Sequence, residues 1–105
     1  MAVAAPDPRL GISFLSNGGL NNDGGQIDLA APGADVLSAW TTEEARYSTE
    51  GGTSVAVPFV AGVALLYAQA MSERCGRALQ SLHLQNARRL PLPSRDVGMG
   101  LVQAP

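Results

Sequence analysis

The chain has 105 residues, a length that limits it to one domain. Hydrophobic residues make up 46% of the sequence, which excludes an intrinsically disordered chain. Nine acidic residues and seven basic ones give a formal net charge of −2 without a basic stripe, so we expect no nucleic-acid partner.

Two features of the composition restrict the chemistry. All seven basic residues are arginines, so mechanisms that need a lysine base or a Schiff base are excluded. The lone Cys75 excludes an internal disulfide and offers zinc no second thiolate. We expect Cys75 to be a structural residue, as unpaired buried cysteines usually are.

Three short apolar runs predict strands at residues 11–15, 27–31 and 36–40. In the second run, apolar residues would point to both faces of the strand, which is typical of a strand covered on both faces. Glycine and asparagine dominate residues 17–25, which predicts a surface loop.

The most informative segment is residues 55–68, fourteen residues without a charged or amide side chain. It is too long for a typical strand and too short to cross a bilayer, and no basic face or aromatic belt accompanies it, so we expect no membrane partner. It predicts a helix buried on every face, capped by Thr53 or Ser54, with Pro58 near its first turn. The rest of the chain supplies about half of the cover that such a helix needs, so we expect further polypeptide around it.

After residue 69 the pattern becomes amphipathic. Leucines alternating with arginines and glutamines predict a surface helix over residues 79–90, ended by Pro91 and Pro93. We expect His83 on this helix to be solvated. Residues 96–102 predict a turn and a short closing segment.

Candidate chemistry lies at the start of the apolar helix. A serine in Gly52-Thr53-Ser54 would place its hydroxyl beside the unpaired N–H groups and the positive end of a helix dipole. Two preceding glycines, Gly51 and Gly52, would let another chain approach closely. Spacing alone leaves the alternative open that Thr53 and Ser54 only cap the helix.

The same residues resemble a protein family. The segment G-T-S-V-A-V-P-F-V-A-G at residues 52–62 is similar to the nucleophile motif G-T-S-M-A-x-P-H-V-A-G of the subtilisin-like serine proteases. Residues 14–18 and 27–33 resemble that family's F-S-x-x-G and D-x-x-A-P-G segments, and residues 98–102 resemble its closing G-x-G-L-[IV]. The resemblance covers nearly the whole chain and is weakest at residues 71–95.

This resemblance implies a catalytic role for Ser54, as the nucleophile of an Asp-His-Ser triad whose own N–H helps to bind the oxyanion. Thr53 and Gly52 would support that loop. Glu50 would line the leaving-group side of the cleft and favour basic residues after the scissile bond. The family implies no cofactor, and we assign no metal.

The fold implied is α/β. Residues 1–105 would form the C-terminal part of a subtilisin-like doubly wound parallel sheet, as a partial catalytic domain of last strands, central nucleophile helix and C-terminal helix. The Asp, His and oxyanion Asn motifs of the family are absent from the sequence, and we expect them upstream or in another chain. The substrate would be a polypeptide, and the parent family implies an extracellular location.

The function predicted is therefore that of a serine endopeptidase which is inactive as this chain alone. His83 follows Ser54 in the sequence, contrary to the family's order. The aspartates Asp28, Asp35 and Asp96 are poor candidates for the triad aspartate that would partner His83. A different class of function stays open, namely a non-catalytic interaction module or pseudoenzyme that keeps the scaffold.

Overall fold

The computed structural model describes residues 1–19, 25–42, 44 and 46–105. Part of the predicted loop at residues 17–25 lies outside these ranges. The strands are β1 (Val3–Ala4), β2 (Leu29–Ala30), β3 (Val36–Ala39) and β4 (Tyr47–Glu50), and the helices are α1 (Thr53–Ala70), α2 (Gly76–Asn86) and α3 (Ser94–Val97).

A short parallel sheet forms the centre of the fold. Strand β1 pairs in parallel with β2, with Val3 opposite Leu29 and Ala4 opposite Ala30. Leu101 adds a parallel bridge to Ala30 on the other side of β2. The prediction of a strand within residues 27–31 is confirmed, with narrower bounds. The two small sheets of the described residues do not themselves amount to a doubly wound sheet.

The parallel sheet is covered on both faces, as its apolar sequence predicts. Side chains of successive strand residues point to opposite faces. On one face the core comprises Val3, Ala5, Leu29, Ala31, Ala56, Val60 and Val102. On the other face the core comprises Ala4, Ala30, Leu90 and Val97. Helix α1 therefore lies on one side of the sheet, with Leu84 of α2 packed on the same side, and α3, which carries Val97, lies on the other.

A separate antiparallel hairpin joins this centre to α1. Strand β3 pairs with β4, with Val36 opposite Glu50 and Ala39 opposite Tyr47. The predicted strand at residues 36–40 is thus confirmed, one residue shorter. The sequence analysis missed β4, because its residues are mostly polar and lack an apolar alternation. The hairpin brings Glu50 close to the start of α1.

The prediction of a strand at residues 11–15 is wrong. Only Ile12 makes a bridge, to Pro6. The Asp7 carboxylate accepts the N–H of Gly11 at 2.9 Å, and the Asp7 carbonyl accepts the N–H of Leu10 at 2.9 Å. Further along, the Ser13 hydroxyl accepts the N–H of Leu15 at 3.2 Å, and the Ser13 carbonyl accepts the N–H of Ser16 at 2.9 Å. These local bonds give the backbone an alternative to a strand ladder, so the segment forms turns instead.

Helix α1 is 18 residues long, four more than the apolar run. Its N-cap residue is Gly52, and no side chain makes a capping hydrogen bond. The prediction that Thr53 or Ser54 caps the helix is therefore wrong, since both lie inside its first turn. Pro58 also lies inside the helix rather than in its first turn, and it removes the N–H that would have bonded to the carbonyl of Ser54.

The exposure of α1 corrects the expectation of burial on every face. Only Ala56, Val60 and Tyr67 are buried, and they form one stripe along the helix. Leu65 is 72% exposed, and Leu66 is 47% exposed. The prediction that this apolar segment is too short to cross a bilayer does not hold for the whole helix, because α1 is by length and composition long enough to do so, although it packs on the sheet here. The chain covers one side of a helix that is apolar all round.

Very close packing positions the start of α1. The N–H of Gly52 donates to the carbonyl of Gly33 at 2.7 Å. A Cβ atom at Gly33 would lie 2.5 Å from the Cβ of Ala5, 3.0 Å from the Cβ of Ala56 and 2.9 Å from the carbonyl oxygen of Gly52. A glycine is therefore required at residue 33 for α1 to approach β1 this closely.

The C-terminal segment follows the predicted order with shifted bounds. Helix α2 ends at Asn86, before the two prolines, because Arg88 turns away to pair with Leu101. Their two backbone hydrogen bonds are both 2.8 Å long. The one-turn helix α3 and the bridge at Leu101 correspond to the predicted turn and closing segment.

Two expectations about α2 are wrong. His83 is 2% exposed and is therefore buried, with its ring centroid 5.1 Å from that of Tyr67. Cys75, expected to be buried, is exposed immediately before the helix. The side of α2 that faces α1 carries Gly76, Leu79 and His83, a helical spacing that includes the histidine and leaves out the cysteine.

We predict that Gly33→Ala lowers the free energy of unfolding by about 1–3 kcal/mol, because the added methyl group overpacks the contact between α1 and β1. Urea unfolding of the chain, followed by circular dichroism, measures this change.

The matched control for this substitution is Gly62→Ala. A Cβ atom at Gly62 meets nothing within 4 Å, so alanine should stabilise α1 by up to about 1 kcal/mol. Equal stability of Gly33→Ala and the wild type would contradict the packing described above.

Candidate active site

Ser54 is the second residue of α1, and its side chain is exposed. The N–H groups of Val55 and Ala56 both donate to the carbonyl of Gly52, at 3.1 and 3.3 Å. The N–H groups of Thr53 and Ser54 precede these bonds, so no carbonyl inside the helix can accept them. The hydroxyl of Ser54 is thus presented to solvent beside a free backbone donor of its own.

Gly52 makes the sharp turn that leads from β4 into α1. Its φ of 134° and ψ of 167° belong to a region that residues with a side chain rarely adopt. A Cβ atom at this position would meet only the Oγ of Ser54, at 3.7 Å, which is an ordinary contact. Glycine is therefore required here by the backbone conformation, although a side chain at residue 52 would have room.

The electrostatics of this helix end favour negative charge. Backbone dipoles place partial positive charge at the N-terminus of α1, and the first turn carries no acidic side chain that would neutralise it. An oxyanion that forms beside Ser54 would be stabilised by this dipole and by the free N–H groups.

Glu50 lies at the end of β4, with Gly51 and Gly52 between it and α1. Its Oε1 accepts a hydrogen bond of 2.6 Å from the Ser48 hydroxyl, which holds the carboxylate in one orientation. An open cleft of about 590 Å³ lies beside Gly51 and Glu50. The side chain of Phe14, which also lines it, is 94% exposed.

Two further carboxylates line the same cleft, those of Asp7 and Asp35. The sequence analysis did not assign Asp7 to the site and considered Asp35 only as a poor partner for His83. No local signal could have found either one, because Asp7 follows β1 while Asp35 precedes β3. Only the folded chain brings both residues close to Glu50.

The single histidine of the sequence does not come near Ser54. His83 packs against Tyr67, which lies thirteen positions after Ser54 on the same helix. At about 1.5 Å of rise per residue, this separation is about 20 Å. Asp28 accepts the N–H of Ala2 at 2.7 Å and belongs to the sheet.

Metal binding has no candidate at this site. Within the described ranges, no group of three histidine, cysteine, aspartate or glutamate residues is close enough to hold an ion. The chemistry that the described residues support is therefore that of one hydroxyl at a helix N-terminus, beside an acidic cleft.

Comparison with known sequences identifies the family. The model of the subtilase family matches residues 1–100. Halolysin from Haloferax mediterranei is 43% identical over 105 residues, which cover 99% of this chain and 19% of halolysin. A cuticle-degrading serine protease from Orbilia oligospora is 43% identical over 70 residues, which cover 67% of this chain and 15% of that protein. The chain thus spans about a fifth or less of these relatives.

Solved structures agree with this assignment. The CspB protease of Clostridium perfringens matches 95% of this chain and 24% of its own, with a TM-score of 0.75 and 28% identity. The epidermin leader peptide processing serine protease of Staphylococcus aureus shares the fold, with a TM-score of 0.77, 22% identity and coverage of 95% of this chain and 28% of that chain. The α/β class predicted from the resemblance is confirmed, and the chain belongs to the subtilase family of serine proteases.

Proposed function

We propose that this chain is the nucleophile-bearing part of a serine endopeptidase. The observation that carries the proposal is the exposed hydroxyl of Ser54 at the positive end of α1, within the family's G-T-S motif. Ser54 Oγ attacks the scissile carbonyl carbon of an extended polypeptide. The oxygen of that carbonyl gains negative charge and accepts a hydrogen bond from the N–H of Ser54.

The remaining steps require a base, and the single histidine of the sequence lies far from Ser54. As the bond from Oγ to carbon forms, the hydroxyl proton passes to a histidine, which then protonates the leaving amine as the peptide bond breaks. Water hydrolyses the resulting acyl-enzyme and restores the serine. The family resemblance assigns that histidine, its aspartate and a second oxyanion donor, an asparagine, to polypeptide outside this sequence.

The proposed partner is the rest of the catalytic domain, in the same chain or in another one. It would cover the apolar side of α1 that includes Phe59, Leu65 and Leu66, and it would extend the short parallel sheet into the doubly wound one. The coverage of halolysin, 19%, supports this arrangement. No membrane, nucleic acid or cofactor is part of the proposal.

We propose an extracellular location for the parent enzyme. An extracellular serine proteinase from a Thermus strain is 47% identical over 49 residues of this chain.

A second candidate function is a non-catalytic interaction module. This function is favoured by the remoteness of His83 from Ser54. His83 packs against Tyr67, which lies about 20 Å from Ser54 along α1 at about 1.5 Å per helical residue. A serine hydroxyl without a base is a weak nucleophile. In that case the subtilase scaffold and the exposed apolar surface of α1 would serve only to bind a partner chain.

Labelling by a fluorophosphonate probe distinguishes the two functions. We predict no labelling of the chain alone, and labelling of Ser54 once a polypeptide that carries the family's Asp, His and Asn motifs is added. Ser54→Ala should reduce labelling and peptide hydrolysis by the complex to background, because the attacking oxygen is gone.

The control for this experiment is Ser81→Ala, at an exposed position of α2, which should label as the wild type does. No labelling in a stable complex would favour the interaction module. Peptide hydrolysis by the purified chain alone, if lost in Ser54→Ala, would show that the chain needs no external base.

We also propose that Glu50 favours arginine or lysine just after the scissile bond. Glu50→Gln should lower the preference for these residues in kcat/KM by up to about fivefold, since a partly exposed ion pair contributes about 1 kcal/mol or less. Glu44→Gln removes an exposed carboxylate outside the cleft and should leave the preference unchanged. A wild-type cleavage profile that ignores charge at this position would contradict the role of Glu50.

A further inference from the structure

A second cavity lies between α1, α2 and β1. It is an apolar groove of about 340 Å³. Helix α1 contributes Val57, Val60, Ala61 and Ala64, α2 contributes Gly76, Leu79, Gln80 and His83, and the N-terminal segment contributes Met1 and Val3. The function proposed above uses none of these residues.

His83 is the unusual member of this groove. Its side chain is 2% exposed, and neither Nδ1 nor Nε2 has a hydrogen-bond partner within the described part of the chain. Its ring packs against the ring of Tyr67 at an interplanar angle of 53°. Buried polar groups are usually hydrogen-bonded, so this imidazole is held by packing alone.

The elements around His83 offer no negative charge. Helix α1 has no charged side chain along its length, β1 has none, and α2 carries only Arg77 besides the histidine. The ionisable side chain that packs against His83 from these elements is the Tyr67 phenol. A phenol O–H is a hydrogen-bonding group and does not supply the negative charge that an imidazolium needs as a counter-ion.

We infer that His83 is a proton-operated switch on the contact between α1 and α2. The neutral imidazole packs against Tyr67 at the edge of the groove, whereas a protonated ring would find no counter-ion among the side chains of α1, α2 and β1 and would move out toward water. Acid therefore loosens α2 from the helix that carries Ser54. The inference uses only the packing of the two helices, so it holds whether or not Ser54 is a nucleophile.

The direction of the pH dependence follows from the burial. Burial lowers the pKa of His83 from the usual value of 6.5. Above 6.5 the ring is neutral in both the folded and the unfolded chain, so its packing stabilises the fold fully. As the pH falls below that value, the unfolded chain binds a proton that the folded chain does not, and stability decreases until the lowered pKa is passed.

The sequence contains a single histidine, so one imidazole signal reports the switch. We expect an NMR titration of the chain in native buffer to give His83 a lower pKa than the same titration in concentrated urea. Urea unfolding should show lower stability at about pH 5 than at about pH 7.5. His83→Leu should lose much of this difference, and what remains reports the carboxylates.

The matched control moves the imidazole two positions. In His83→Leu combined with Ser81→His, the new histidine is at an exposed position of α2 and should titrate as in urea, without restoring the pH dependence. A wild-type His83 that titrates alike in buffer and in urea would overturn the inference, even if His83→Leu does not fold. Full retention of the wild-type pH dependence in folded His83→Leu would overturn it as well.

Discussion

The hydrogen bond between Gly52 and Gly33 is the contact on which the arrangement of the site depends. It joins two backbones at 2.7 Å, and that approach is possible only because the surrounding positions carry very small side chains. Ala5 belongs to the segment after β1, and Ala56 belongs to the first turn of α1, so the same contact locks the helix onto the sheet. Ser54 is therefore fixed relative to the parallel strands by main-chain geometry rather than by a side-chain cap.

Helix α1 explains why this chain has the composition of a core segment without a complete core. Its buried residues, Ala56, Val60 and Tyr67, pack against β1, β2 and α2. Its other sides are apolar as well, and a helix of this kind normally lies inside a larger body. A polypeptide that covers the helix gains a favourable free energy of about 25 cal/mol for each Å² of apolar surface that it buries. The additional polypeptide proposed above would both cover this surface and complete the proposed chemistry.

The sequence predicted those parts of the fold that local patterns determine. The apolar run of α1, the strand at β2 and the amphipathic spacing of α2 all depend on neighbours within a few positions, and each was found. Strand β4 was missed because hairpin pairing with β3, rather than its own polar residues, defines it. Residues 11–15 were misassigned because the side chains of Asp7 and Ser13 offer their backbone competing partners.

The candidate site was likewise predicted only where a local pattern in the sequence determines it. Ser54 and Glu50 were identified from a motif and its spacing, whereas Asp7 and Asp35 reach the cleft through contacts that are distant in sequence. His83 was expected in solvent because half of α2 is polar. Its burial depends on which side of α2 faces Tyr67, and only the packing of the two helices decides that.

The central claim is that one side of the serine-bearing helix is completed by polypeptide beyond these 105 residues. Hydroxyl-radical footprinting, with and without the rest of a subtilase catalytic domain, tests it directly. The account predicts rapid modification of Phe59, Leu65 and Leu66 in the chain alone, strong protection of all three in the assembled domain, and protection of buried Leu29 in both states. Protection of the three side chains in the isolated monomer, or their unchanged reactivity after assembly, would contradict it.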